Sequence, residues 1–479
     1  MKQIENITIV GGGSAAWLAA AYIRNNMWDV PLTIIDKEVG TPIGVGEATV
    51  LTFPSFLRDC GLHERDWFTQ VDGSYKAGIN FPGWKKPGNT VWHPFYLNKS
   101  YIDQAITQYD VWADLGKRET FQELALPCYK TTMDNKIDIH HAYTTLAYHI
   151  DCGKLVKRLQ EICQRDMNII KSEVVDVIRD DEGYITELKL ANGQTHKGDF
   201  FIDCTGFASL LIGKTLNTPF ESFSDNLFND SAVVFPTPAL KPLPLETKAT
   251  ALSAGWAWQI PLQNRTGNGY VYSSKYLSSE LAEKELREHL GIDDSQEARH
   301  LKMRVGQMSK HWVKNCLAVG LSQGFIEPLE ATALHLVQVS CELFVDHYTK
   351  GNLSNEFQDE FNKTIHYRFE RVRDYIVAHY KLNTRNDSQY WIDNRANENL
   401  SDSLVQILQA WFNKKDMLKE INRQQLAYHF DANSWNAMLA GYGTFPPLAA
   451  KQAKQGDLYL ENNIENFLNK CALNFAKTN

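Results

Sequence analysis

The stretch Ile7-Thr8-Ile9-Val10-Gly11-Gly12-Gly13-Ser14-Ala15-Ala16, with Leu32-Thr33-Ile34-Ile35-Asp36 after it, decides the fold. Four apolar or β-branched residues in a row read as a buried strand, the glycines as a tight turn, and the Ala-rich run to Ala21 as a helix; a second strand ends at Asp36. The turn fits G-x-G-x-x-G/A at Gly11, Gly13 and Ala16, and Ser14 opens the helix. Such a unit sets a pyrophosphate against a helix N-terminus, where free N–H groups and the helix dipole favour negative charge. Asp36, twenty residues past Ala16, is spaced to accept a hydrogen bond from a ribose. The glycine pattern by itself is weak and fits a merely tight structural turn; the flanking strands and the spaced acid favour a dinucleotide site. The chain has no second strand–glycine turn–helix unit, so one adenine dinucleotide is expected, and FAD is favoured over a pair of flavin and nicotinamide sites.

Outward from this unit, Gly198 to Gly206 reads as a buried strand ending in a small-residue turn, and Asn315 to Gly320 as another strand reaching a glycine. Gly44-Val45-Gly46-Glu47-Ala48-Thr49 gives backbone able to approach a cofactor closely, or a surface loop. Helical patterns are expected around 101–114 and 143–163. Paired strands joined through Gly183 are expected over 172–191, sheet through 231–319, and long helices from Leu329 to Tyr380 with a break near Gly351 and Asn352. Shorter helices and loops follow. The architecture implied is an α/β nucleotide-binding core with an interleaved β-sheet and a helical C-terminal region. Its division is expected as one interleaved body over 1–350 and a mainly helical part over 351–479.

Composition narrows the function classes. With 43% apolar and 11% aromatic residues the 479-residue chain carries material for a large core, which excludes a disordered or fibrous protein. Forty-nine Lys+Arg against 57 Asp+Glu leave a net charge of −8, so there is no basic footprint for nucleic acid. No run reaches the roughly 20 apolar residues of a membrane span. The eight cysteines are scattered without a C-x-x-C pair, which argues against a metal site or a disulfide framework and for reduced, mostly buried thiols. A soluble, cytoplasmic protein is expected.

One segment is far more specific. Trp256-Ala257-Trp258-Gln259-Ile260-Pro261 resembles the W-x-W-x-I-P signature of the flavin-dependent halogenases, the tryptophan halogenase family. It is joined in order by Gly11 to Trp17, Gly44 to Thr49, Tyr75-Lys76-Ala77-Gly78-Ile79, His93-Pro94-Phe95, Tyr148-His149-Ile150-Asp151, Asp203 to Phe207 and Gly320 to Glu330. The resemblance implies a Rossmann-like, flavin monooxygenase-type core. It implies reduced FAD (FADH2), delivered by a separate flavin reductase, which with O2 oxidises halide to hypohalous acid that reaches a small aromatic substrate. Lys76 matches the lysine that presents the halogen, and Glu330 the active-site glutamate. Gly11, Gly13, Ser14, Ala16, Asp36, Ala48, Gly320, Leu321 and Leu334 are the implied FAD contacts, and Thr332 and Ala333 the halide site. By the same resemblance Trp256, Trp258, Ile260 and Pro261 are expected as the barrier between flavin and substrate. His93 and Phe95 are expected to line an aromatic pocket covered by the C-terminal region.

Plainer readings remain for each residue: Lys76 as a lysine on a solvated strand face, Glu330 as a first-turn helix residue, the tryptophans as core, His93 as a structural histidine. Tryptophan-specific members have Glu-Ser-Thr-Gly where this chain has Glu330-Ala331-Thr332-Ala333, which removes a hydroxyl and adds a methyl beside the halide. Two other functions compete: an aromatic monooxygenase of the same architecture, and a non-catalytic flavin- or aromatic-binding protein. Intact Lys76, Glu330 and the Trp-x-Trp pair weigh against both. No residue set is evident for pairing the charges of a free amino acid, so indole- or phenol-type rings are the expected acceptors, with bromide or iodide oxidised more readily than chloride.

Overall fold

The computed structural model describes residues 6–27, 29–37, 46–95, 136–137, 146–444 and 476–477. The helix expected at 101–114 and the stretch Gly44-Val45 lie outside them. The chain divides into two compact units, each assembled from three segments. The first comprises Met1–Gly73, Ile150–Ser224 and Lys302–Glu370; the second comprises Ser74–His149, Asp225–Leu301 and Arg371–Asn479.

The first unit is built on a six-stranded sheet in the order Trp312–Val313, Cys316–Ala318, Phe200–Asp203, Ile7–Val10, Leu32–Asp36, Asn168–Lys171. Every pairing is parallel except the 312–318 hairpin. Ile7, Thr8 and Ile9 have no exposed surface, as expected for a parallel strand covered on both faces. Helix Ser14–Asn26 turns Ala16, Ala19, Ala20 and Ala21 fully inward, and these small side chains let it lie close against its neighbours. The hairpin around Gly183 forms as read, with Val174–Arg179 antiparallel to Ile185–Leu190. Helices Thr332–Lys350 and Gln358–Lys381 separate at the expected break, where Asn352 and Leu353 both take left-handed backbone and reverse the chain.

Sequence reading erred at two places. The run 143–163 is not one helix: Ala147–Ile150 is a fully buried strand, and the helix is Cys152–Cys163. The Asp151 carboxylate starts that helix by accepting the Lys154 N–H at 3.0 Å. Within the expected sheet region 231–319 stands the helix Ser279–Leu290, capped by the Ser278 hydroxyl and stopped at Gly291. Its buried Ala282 and Leu286 pack with Phe235, Tyr270 and Tyr272.

The second unit carries a seven-stranded sheet in the order Arg299–Lys302, Ser231–Pro238, Arg265–Tyr272, Gly255–Pro261, Glu246–Leu252, Gly78–Pro82, Thr90–Pro94. Glu246–Leu252 and Gly78–Pro82 run parallel, with Thr247 beside Ile79. Ser74–Lys76 pairs antiparallel with the strand 147–150, setting Ser74 opposite His149 and Lys76 opposite Ala147. Among the described residues after Lys381, short helices follow at Gln389–Ala396, Asp402–Phe412, Met417–Arg423 and Ala432–Gly441, and the last packs on strand Thr90–Pro94. Among the described residues, Cys60, Cys152, Cys163, Cys204, Cys316 and Cys341 are buried free thiols, and no helix is long and apolar enough to cross a membrane.

Candidate active site

In the first unit the glycine turn behaves as three different devices. Gly11 sits at φ +121°, donates its N–H to Ile35 O at 2.9 Å, and leaves no room for a side chain, since a Cβ would stand 2.3 Å from Cys204 O. Gly12 is equally constrained, but by a side chain: its Cβ would fall 1.8 Å from Asp36 Oδ2. Gly13 is the opposite case. It is exposed, extended at φ −77° and ψ −177°, and an added Cβ would meet nothing within 4 Å. It is the N-cap of helix Ser14–Asn26, without a side-chain cap and without an acidic residue in the first turn. The first-turn N–H groups have no intrahelical acceptor. An open, positively polarised helix end beside a ribose-spaced carboxylate fits the pyrophosphate and ribose of FAD.

Two further turns close on this helix end. Gly320, at φ +76°, would place a Cβ 2.6 Å from Ala15 Cβ, so the turn after strand Cys316–Ala318 reaches the helix start only because Gly320 lacks one. Leu321 follows in the helical turn Gly320–Ser322, and Ala48 and Leu334 are buried. The Asp203 carboxylate, fully buried, accepts from Thr205 N–H and hydroxyl at 3.0 and 2.6 Å and from Leu211 and Ile212 N–H at 2.7 and 2.9 Å. It anchors the turn that the sequence reads only as small residues. Burial raises its pKa while these four bonds oppose the rise.

Glu330 is also in the first unit and is 2% exposed; it precedes helix Thr332–Lys350 rather than lying within its first turn. The helix N-cap is Ala331, held at φ +58°, which offers no side-chain acceptor. Thr332, the first helical residue, keeps its hydroxyl oxygen buried with no hydrogen-bond partner among the described residues. This long helix opens with neither a side-chain cap nor an acidic residue in its first turn, and with a buried hydroxyl that has no hydrogen-bond partner among the described residues, a start that favours negative charge.

The second unit holds the lysine. Lys76 has no exposed surface, which excludes the solvated-face reading, and its ammonium lies 4.8 Å from the centroid of the Phe95 ring. Ala77 fixes this approach by donating its N–H to Leu245 O at 2.7 Å and accepting the Phe95 N–H at 2.9 Å. From Phe95 the rings continue: His93 lies 6.1 Å from Phe95, 5.9 Å from Tyr375 and 6.4 Å from Phe430. Tyr375 and Phe430 stack at 3.5 Å, and Trp435 meets Tyr375 edge-on at 4.8 Å. His93 Nε2 is 3.1 Å from the Ser434 hydroxyl.

Trp256 and Trp258 share a face of strand Gly255–Pro261, their ring centroids 6.1 Å apart. Trp258 lies over Gly269 of the neighbouring strand, where a Cβ would come within 2.2 Å of the indole. Its indole nitrogen is buried without a hydrogen-bond partner among the described residues. At the end of this strand Pro261 O accepts the Ser74 hydroxyl at 2.6 Å. The Ser74 oxygen is 2.9 Å from His149 Nδ1, and His149 Nε2 is 2.9 Å from the Thr247 hydroxyl. Burial, and then the charge of Lys76, hold His149 well below the usual histidine range, so it is neutral.

The expected site residues therefore gather in two groups. Gly11, Gly13, Ser14, Ala16, Asp36, Ala48, Gly320, Leu321, Glu330, Thr332, Ala333 and Leu334 belong to the first unit; Lys76, His93, Phe95, Trp256, Trp258, Ile260 and Pro261 belong to the second. Sequence reading gave no role to Gly12, Ser74, His149, Thr247, Gly269, Tyr375, Phe430 or Trp435. Of these, the positions of Gly12 and His149 were signalled, each as part of a quoted segment.

A family model described as tryptophan halogenase matches residues 6–456. The tryptophan 6-halogenase SttH of Streptomyces toxytricini is 32% identical over 92% of this chain and 90% of its own length. The 7-chloro-L-tryptophan 6-halogenase KtzR of Kutzneria sp. is 34% identical over 85% of this chain and 84% of its own. Among solved structures, that of SttH superposes with a TM-score of 0.88 at 29% identity, covering 99% of this chain and 98% of the other. BrvH, a flavin-dependent halogenase from Brevundimonas sp. BAL3, superposes with a TM-score of 0.83 at 29% identity over 99% and 98%.

Proposed function

The chain belongs to the tryptophan halogenase family, and from that premise we propose that it oxidises halide at the expense of FADH2 and O2 and uses Lys76 to place the hypohalous acid against an electron-rich aromatic ring. The observation that carries this reading is the buried Lys76 ammonium set against Phe95 at the edge of an aromatic cluster. Burial strengthens whatever hydrogen bond or charge contact the ammonium makes.

The residues that would hold FAD are Gly11, Gly13, Ser14 and Ala16 at the pyrophosphate, Asp36 at the ribose, and Ala48, Gly320, Leu321 and Leu334 around it. Reduced FAD supplies the electrons for oxygen activation, and a separate flavin reductase supplies reduced FAD. The N–H groups of Thr332 and Ala333 hold the halide. Lys76 donates a hydrogen bond to the oxygen of the hypohalous acid, which polarises the oxygen–halogen bond and turns the halogen to the ring. As the carbon–halogen bond forms, that oxygen leaves as water with a proton from the ammonium side, and the ring proton passes to a carboxylate, the role given to Glu330. Trp256 and Trp258, with Ile260 and Pro261, keep organic substrate from the flavin. His93 and Phe95 frame the acceptor ring.

The acceptor we propose is an indole- or phenol-type ring without the amino-acid zwitterion. The Ala331 and Ala333 departures and the ring neighbours of His93, namely Phe95, Tyr375 and Phe430, support this reading, since desolvated ammonium and carboxylate groups need charged partners. The test combines the protein with FAD, a flavin reductase, NADH, O2 and each halide against tryptophan, indoles and phenols, with products read by mass spectrometry. A halogen isotope pattern on indole or phenol, weaker on tryptophan, is expected. Hydroxylated product formed without halide refutes the halogenase reading, whereas a regioselective preference for tryptophan refutes only the acceptor.

A further inference from the structure

Three buried polar side chains in the second unit, Ser74, His149 and Thr247, serve no role in the chemistry above, yet they join the lysine strand to the tryptophan strand. Ser74 and Lys76 project from the same face of strand Ser74–Lys76, and His149 lies directly opposite Ser74 on the paired strand. Exposure is 3% for Ser74, nil for His149 and 6% for Thr247, so water does not supply their hydrogen bonds.

The protons of this chain can be assigned by elimination. Pro261 O only accepts, so the single Ser74 proton goes to it. The Ser74 oxygen then accepts from His149 Nδ1–H, which leaves Nε2 as the acceptor, and the Thr247 hydroxyl donates to it. Every donor in the sequence Thr247, His149, Ser74, Pro261 has one acceptor, and the ring is fixed in one tautomer and one orientation. Reversing any member leaves a buried donor facing a donor or an acceptor facing an acceptor, at a cost no water relieves. The neutral state of the imidazole also keeps a second positive charge away from Lys76.

We infer that His149 is a positioning residue: held between Thr247 and Ser74, it locks the lysine strand to the Pro261 carbonyl at the end of the tryptophan strand and so fixes where the Lys76 ammonium stands. The inference rests on the proposed delivery role of Lys76. Its signature is a loss of coupling. Making hypohalous acid does not require Lys76, whereas transferring its halogen does, so a displaced lysine lowers transfer and spares formation.

The experiment uses Thr247→Val, which keeps the side-chain shape and removes the donor, Ser74→Ala, Thr247→Ser as the conservative rescue, and Lys76→Ala. Hypohalous acid is measured with a soluble scavenger in the absence of organic substrate, and halogenated indole is measured with substrate present, both under reductase-supplied FADH2. Expected for Thr247→Val and Ser74→Ala is hypohalous acid at the parental rate with product per hypohalous acid reduced about 10- to 100-fold, the scale of an ångström-sized misplacement. Thr247→Ser restores the ratio. A parental ratio in both Thr247→Val and Ser74→Ala, or formation and transfer falling together as for lost folded protein, overturns the inference while a collapsed ratio in Lys76→Ala leaves the delivery reading standing. A parental ratio in Lys76→Ala brings down that reading and the inference with it.

Discussion

Replacing Gly13 by valine separates binding from folding. The position is exposed at φ −77° and ψ −177°, a conformation a β-branched residue adopts readily, and a Cβ there meets no protein atom within 4 Å. Valine is a poorer N-cap than glycine by under about 1 kcal/mol, and the stiffer unfolded chain offsets part of that, so the FAD-free protein should melt within about 2–3 °C of the parent. The space the side chain enters is the space through which a pyrophosphate must approach the helix end. Losing two hydrogen bonds from N–H groups to a charged phosphate, at about 1.5–3 kcal/mol each, weakens FAD by about 10²–10⁴-fold. Flavin-fluorescence titration gives Kd, and a thermal scan of FAD-free protein gives the control. Gly11→Ala is the counterpart: with Cys204 O 2.3 Å from the new Cβ and φ at +121°, it should lose stability even without FAD. If Gly13→Val binds FAD within about threefold of the parent, less than the ~1.4 kcal/mol that a tenfold change represents, the pyrophosphate does not sit at this helix end and the cradle is misassigned.

Lys76→Ala should abolish halogenated product while FAD titrates as in the parent; near-parental turnover, with free hypohalous acid scavenged, removes the lysine from the chemistry. Glu330→Gln should slow turnover by about 10²–10⁴-fold, the range for a positioned acid or base, and a single-turnover rate equal to the parent's refutes its role. His311, fully buried, is pushed down to about 3 by burial and then by the charge of His366. The unfolded chain takes up that proton below about pH 6.5 and the native state does not, so stability is lost as pH falls from there toward 3. Urea unfolding between pH 7 and 5 should show a slope up to about 1.4 kcal/mol per pH unit steeper for the parent than for His311→Gln; equal slopes refute the assignment.

The strand–turn–helix–strand unit was legible because its logic is local. Gly11, Gly13 and Asp36 are spaced along one strand–turn–helix–strand unit, and each spacing has a direct geometric meaning. Gly12 escaped because its constraint is the Asp36 carboxylate, a neighbour only after the strands pair. The burial of Lys76 was equally hidden: a three-residue strand has too few positions to show which face is covered. Ser74, His149 and Thr247 come from three separated strands, and nothing in the spacing of 74, 149 and 247 predicts a hydrogen-bonded line. The strand Ala147–Ile150 was absorbed into a helix because a short apolar run has no periodicity of its own. The helix Ser279–Leu290 was passed over although Ser278 and Gly291 mark both its ends.

The indole of Trp258 occupies the volume that any side chain at residue 269 would need, and the two residues face each other on adjacent strands. They therefore form one unit of inheritance. A lineage can enlarge residue 269 only after, or together with, a smaller ring at 258, and the reverse order passes through an intermediate with two groups in one place. Among descendants and distant cousins of this chain, a residue larger than glycine at 269 should be found only where 258 is not tryptophan. A library that enlarges residue 269 alone samples mostly clashing sequences, whereas one that varies both together admits pairs that neither single change reaches.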